Sequence, residues 1–462
     1  MIESRRHIYS SGVCYFLCQC IAVSIIYFGS GFAYTFNDNL LGKYSDSSLV
    51  SFAKAFGYPF GALLCGFFIS RGRRMVLIVV DVLCICILPL LIIGDIVLDV
   101  VLCMVINVIN GVWVVSTFVY GKDISVAHQP AFIATFLQAV NSVGLVLGSV
   151  AKLLVEDLEG DDQKFVTRLF IGISLGICCL YQLIAFATYM KDEPIKYVHE
   201  RYGEESSYQL VSEIISDRPN VERTMQALQT ASLYKKFKGV NFMSIFNKYY
   251  RKAFIVCLTL LLFKCVHHVL KFDHRIPKKF ESKDSSKLLK LINAITKTIL
   301  VFGALLFINK ITRKRLLFIG YSLYAIGHAL CTIIITISLY FLEISEVMVY
   351  LLLISIIFTE WVAYALLTYM PYVLVLELLP DKGVAFMIAL YSVNSSFNQY
   401  ISDIISKNET LKWSYYPLMA LVCYVALIFI EFFVEDTSDT TEEGTKKAYF
   451  EKEDDTDSER PL

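Results

Sequence analysis

The sequence predicts an all-α membrane protein of twelve spanning helices in two six-helix halves, from three observations: an apolar composition, the spacing of the apolar runs and a polar stretch at mid-chain. Of the 462 residues, 56% are hydrophobic and 18% charged, against about 25% charged in an ordinary soluble domain. The main solvent of this chain is therefore a bilayer. Lysine plus arginine and aspartate plus glutamate both number 42, so there is no basic excess to argue for nucleic acid. The thirteen cysteines, among them Cys14, Cys18, Cys20, Cys65, Cys84 and Cys86, sit in apolar runs without zinc spacing or the pattern of a secreted disulfide framework. They read as small buried apolar residues.

A spanning helix needs roughly 20 mostly apolar residues. Runs of that kind lie at 11–36, 47–69, 75–95, 98–120, 130–154, 166–189, 252–272, 286–308, 316–341, 347–376, 382–404 and 412–434. Arg5, Arg6 and His7 before the first run imitate a signal peptide, but the run outlasts a signal h-region and has no small-residue cleavage site. It is taken as the first span. The pattern predicts an N-terminal half over 1–189, a linker over 190–251, a C-terminal half over 252–434 and a tail over 435–462. Within the linker, Ser207 to Ile215 and Val221 to Tyr234 are amphipathic and predict short helices at the membrane surface.

Lysine and arginine in short loops set orientation. Arg71, Arg73 and Arg74 after the second run, Lys310, Arg313, Lys314 and Arg315 after the eighth, and the basic linker fall on one side if both termini are cytoplasmic. The segment from Lys271 to Lys287 is the single basic exception. The tail from Glu435 holds eleven acidic residues against four basic ones, too polar to bury a core, and is expected to be disordered. Asn408-Glu409-Thr410 is an N-glycosylation sequon close to the membrane.

Several motifs lie on this frame. Gly57, Gly61 and Gly66 lead to Gly72-Arg73-Arg74, and a second copy reads Asn309-Lys310-Ile311-Thr312-Arg313-Lys314. Glycines let helices approach closely, and the basic turns can pair with acids at neighbouring helix ends. Tyr120-Gly121-Lys122-Asp123-Ile124-Ser125 is followed by Phe136-Leu137-Gln138. Asp192-Glu193-Pro194 opens the linker, and Thr368-Tyr369-Met370-Pro371-Tyr372 runs on through Glu377 to Pro380. Asn394 and Asn398 follow, and Phe432-Phe433-Val434-Glu435-Asp436-Thr437 closes the last span.

Together these motifs resemble, over nearly the whole chain, the sugar porter family of the major facilitator superfamily, two parallel halves around a site near the membrane midplane. The resemblance implies a transporter that works by alternating access. It implies substrate contacts at Gln138, Asn394 and Asn398, with Tyr372 in place of the family's tryptophan as the aromatic face. It also implies a cytoplasmic gate of Arg73, Arg74, Asp123, Arg313, Lys314 and Glu377, although both copies of the basic motif lack the family's aspartate, at Ile69 and Asn309.

Amides and a tyrosine suit a neutral polyol, since they donate and accept hydrogen bonds and offer a ring face; each also serves as an ordinary interhelical contact. The seventh run departs from the family. Lys264-Cys265-Val266-His267-His268 stands where the family has amides, and Lys297 lies close to a family asparagine. Lysines inside a membrane face a cavity or a partner, so an anionic substrate held by Lys264 and Lys297 competes with pairing to Glu360. The adjacent histidines point about 100° apart on a helix and form no chelating pair.

Gly31 follows Phe28-Gly29-Ser30, where proton-linked relatives carry an aspartate, which favours facilitative uniport; Asp81 is a buried acid expected to pair with a loop arginine. The expected function is transport of a hexose-like solute, with the plasma membrane as the expected location. A carrier of small organic anions and a non-transporting nutrient sensor are the alternatives. No nucleotide loop or zincin motif points to a pump or enzyme, and no cofactor or metal is expected.

Overall fold

The computed structural model describes residues 12–36, 48–93, 96–124, 130–155, 158, 160–214, 221–222, 224–226, 228–229, 242–267, 283–308, 310–341, 346–436 and 449. The first half comprises α1 (Gly12–Tyr34), α2 (Ser48–Phe68), α3 (Arg73–Ile87), α4 (Ile96–Ile124), α5 (Pro130–Val155) and α6 (Gly160–Thr188). Two short linker helices follow, α7 (Ile195–Tyr202) and α8 (Glu204–Ile214). The second half comprises α9 (Lys248–His267), α10 (Lys283–Phe307), α11 (Arg313–Phe341), α12 (Glu346–Val362) continued by α13 (Met370–Leu378), α14 (Asp381–Lys407) and α15 (Glu409–Phe433).

Among the described residues, nine helical stretches are long and apolar enough to cross a membrane, with Glu346–Leu378 forming one of them. The three other spans are α2, α9 and α14. Of these, α14 packs against α2, α4, α9 and α15, and its Asn398 and Ser402 are buried. Lipid-facing surface is where the large apolar side chains are exposed, as at Ile173, Ile177 and Ile184 of α6 and Leu418, Leu421 and Phe432 of α15. In a water-soluble protein such belts would be costly, whereas hydrocarbon is their natural solvent.

Within the halves, α2 crosses α4, α1 lies along α5, and α11 lies along α15. The α2–α4 crossing depends on Gly61, where an added Cβ would lie 2.0 Å from the Val108 carbonyl oxygen. Backbone packs directly on backbone there, the close approach that small residues permit. Between the halves, α2 packs on α14 and α5 packs on α10. The second helix of each half therefore meets the fifth of the other, leaving the central site between two equivalent seams.

Asp81 does not pair with a loop arginine as expected. It is fully buried and accepts the indole N–H of Trp113 at 2.9 Å, because its place on α3 faces α4. The Asn408 side chain caps α15, accepting the N–H groups of Thr410 and Leu411 at 3.0 and 3.3 Å. Linker residues Val211, Val221, Met225 and Leu228 form a small apolar cluster of their own, with Ile195 against it. In the tail, Tyr449 is buried. Its hydroxyl accepts from the Glu435 N–H at 2.7 Å and donates to the Glu435 carbonyl at 2.8 Å. Burial pushes that phenol above its ordinary range, so it remains a donor.

Candidate functional site

The central site is built by a break in the tenth span. Pro371 has no N–H to give and its ring crowds the preceding turn, so α12 cannot run straight into α13. A π-helical turn over Ala363–Leu367 absorbs the mismatch, with the Thr368 N–H bonded to the Ala363 carbonyl at 2.9 Å. The break aims Tyr364 at the first half. Its hydroxyl accepts from the Gln138 amide at 3.3 Å and meets the Ser142 hydroxyl at 3.3 Å, both on α5. One turn past the break, Tyr372 stacks on Phe118 of α4 at 5.4 Å and meets Tyr391 of α14 edge-on at 5.5 Å. Phe118 in turn meets Tyr27 of α1 at 5.8 Å, so aromatic rings run continuously from one half to the other.

Lys264 lies against this aromatic row. It is 2% exposed, and its ammonium sits 3.8 Å from the centroid of Tyr372 and 4.4 Å from that of Tyr391. Electron-rich ring faces attract a cation at these distances. Of the two sequence readings of Lys297, anion ligand or partner of Glu360, the geometry has the second. Its ammonium donates to Glu360 at 2.7 Å and stands 5.1 Å from the Tyr364 ring, so a carboxylate of α12 already neutralises it. Asn398 is likewise engaged, its amide donating to the Cys265 carbonyl of α9 at 2.5 Å. Asn394 lies between Tyr391 and Asn398 on one face of α14, half-buried and without a hydrogen bond among the described residues. His267 ends α9; its side chain, and His268, lie outside the described residues.

A second cluster closes the linker-side ends of the helices. The Arg73 guanidinium donates to Asp123 of α4 at 2.9 Å, to the Ile69 carbonyl at 2.5 Å and, across the halves, to Asp381 of α14. Lys122 also crosses, donating to the Leu379 carbonyl at 3.1 Å. In the repeat, Arg313 donates to the Ile308 carbonyl at 2.7 Å and stands 3.4 Å from Glu377, both in its own half. The two copies share a design in which an arginine hydrogen-bonds the carbonyl end of the preceding helix and pairs with a neighbouring acid.

Arg74 and Lys314 do not join this cluster. Arg74 donates to the Phe186 carbonyl of α6 at 3.0 Å, and Lys314 to the Glu431 carbonyl of α15 at 2.8 Å. Successive helical residues point about 100° apart, so only one of two adjacent basic residues faces the junction. Lys314 also stands 3.6 Å from the Glu431 carboxylate, an acid at a neighbouring helix end within its own half.

Asp381, Lys122 and Tyr364 were not singled out from sequence. Asp381 carries a weak signal, an acid in the first turn of a helix directly after Pro380. Glu193 binds the linker to the basic turn by accepting the N–H groups of Arg73 and Arg74 at 2.9 and 3.0 Å. Tyr197 of α7 lies under the Arg73 cation at 4.7 Å, and Arg201 donates to the Ser70 carbonyl at 2.8 Å. Among the described residues, no group of His, Cys, Asp and Glu side chains is arranged to hold a metal ion.

Two bundles that meet along paired seams, enclose a polar and aromatic centre and latch at one end define a transporter of the major facilitator class. The model of the sugar (and other) transporter family matches residues 12–449, and the chain belongs to that family. It is an integral multi-pass membrane protein. Among curated proteins, none matches it in sequence. The proton:xylose symporter XylE bound to 6-bromo-6-deoxy-D-glucose superposes with a TM-score of 0.72 at 17% identity, covering 96% of this chain and 100% of that one. XylE from E. coli in its inward-open conformation gives 0.63 at 16% identity, with the same coverage. A human organic anion transporter, TETRAN, gives 0.60 at 9% identity over 91% of this chain and 99% of that one. At these identities the superpositions speak for the fold alone.

Proposed function

We propose that the chain moves a hexose-like solute across the membrane by alternating access, as a facilitative uniporter. The observation that carries this reading is the Gln138–Tyr364–Ser142 bridge beside the aromatic row. It joins the halves through groups that both donate and accept, so a polyol can replace the bridge hydroxyl for hydroxyl beside the aromatic row. The rocking bodies are residues 1–189 and 252–434. Arg73, Asp123 and Asp381 hold the linker side shut, with Arg313 and Glu377 bracing the second half. Both termini and the linker are placed in the cytoplasm by the basic loops, and the plasma membrane is the expected location.

Uniport is supported at Gly31. An added Cβ there would lie 2.5 Å from the Asn141 carbonyl oxygen, so α5 leaves no room for an acid at that point of α1. Uptake of labelled glucose into proteoliposomes, with and without a pH gradient, tests the proposal. Saturable flux indifferent to the gradient is expected; flux that follows the gradient rejects uniport, and no flux rejects hexose transport.

A further inference from the structure

We propose that Lys264 is a specificity-determining residue and that the preferred solute is a monosaccharide carrying one carboxylate, of the hexuronate type. This rests on the reading of the central site as a sugar site and names the substrate class it takes. Among the described residues, two lysines lie inside the bundle near that site, and one of them is matched by a carboxylate. Lys297 is matched by Glu360 at 2.7 Å, whereas Lys264 has neither an ion pair nor a hydrogen bond among the described residues.

Burying a cation without a counter-charge is expensive, and two ring faces offset only part of the cost. A solute that brings one negative charge removes the remainder when it binds. The groups a sugar body needs lie on the same elements: Lys264 meets the rings of Tyr372 and Tyr391, Asn394 lies one turn on from Tyr391 in α14, and the broken span that carries Tyr372 also carries Tyr364, bonded to Gln138. The amide of Asn398 is already spent on the Cys265 carbonyl, leaving its carbonyl oxygen to accept from a hydroxyl. One fixed positive charge matches a monoanionic carboxylate better than a dianionic phosphate ester, whose second charge would find no partner here.

The test is competition against labelled glucose counterflow in proteoliposomes of the full-length chain. The competitors are unlabelled glucose, glucuronate, glucose 6-phosphate and lactate. Glucuronate is expected to compete about tenfold or more better than glucose, the gain of one charge-assisted contact. Lys264→Gln is expected to abolish that preference and Lys264→Arg to retain much of it. Equal competition by glucose and glucuronate overturns the proposal, as does a preference that survives Lys264→Gln or a stronger effect of glucose 6-phosphate or lactate. The wild-type comparison decides even if a variant fails to fold. Counterflow of glucose without glucuronate preference sinks this inference and leaves hexose transport standing; absence of any glucose counterflow removes both.

Discussion

Lys297 and Glu360 have side chains that are 17% and 6% exposed, and they meet where water cannot screen them. Breaking such a pair leaves an uncompensated buried charge, which costs about 3–5 kcal/mol, whereas replacing both partners by neutral groups costs far less. Lys297→Met is therefore expected to lower the detergent melting temperature sharply, with most of the loss recovered in Lys297→Met/Glu360→Gln. Equal melting of the single and double variants would show that the pair contributes nothing. The same logic explains why residue roles were only partly legible in the sequence. Spacing shows that Lys264, Lys297 and Glu360 lie in spans, but which lysine meets the acid depends on helix rotation. Arg73 and Arg313 sit in copies of one motif, but that motif does not show that the adjacent Arg74 and Lys314 turn towards α6 and α15 instead.

The broken span of α12 and α13 is the element on which the site depends. Its signal, Met370-Pro371-Tyr372, is visible in the chain, since proline forces an irregularity. A π turn rather than a kink was not visible, because that choice is made by packing against α10 and α11. The turn is what carries Tyr364 to Gln138. Tyr364→Phe removes both hydroxyl contacts and is expected to cost about 1–2 kcal/mol of stability and to reduce hexose flux several-fold. Gln138→Ala should reduce flux comparably, and the two changes combined should do little more than either, because both delete the same bridge. Additive losses, measured as initial rates, would mean that the two residues act separately.

For the whole molecule, the arrangement of six spans, a linker and six more was readable because a bilayer imposes a length on every crossing. The cross-half latch was half readable. Arg73 and Asp123 stand in recognisable motifs, but Asp381 lies more than 300 positions away in the chain from Arg73, and no single-sequence pattern ties them. Asp381→Asn keeps Arg73 paired with Asp123 while weakening the link between halves. Spin labels at the linker-side ends of α2 and α14 should report a shift of about tenfold towards separated ends, a difference of about 1.4 kcal/mol. Glu377→Gln, which breaks a contact within one half, should leave that distance distribution unchanged; an equal response to both would refute the assignment of Asp381 as the crossing residue.

That latch is also one-sided with respect to the repeat: Arg73 reaches the opposite half, and its counterpart Arg313 does not. A passive carrier cannot change where its solute equilibrates, so the Haldane relation holds the ratio of maximal rate to half-saturation equal for entry and exit. It leaves each of those constants free to differ. Where return of the empty carrier is the slow step, a resting state weighted towards linker-side closure gives a higher half-saturation for entry than for exit, with a proportionally higher maximal rate. Zero-trans kinetics measured in both directions would reveal it, and Asp381→Asn should bring the two half-saturation values together.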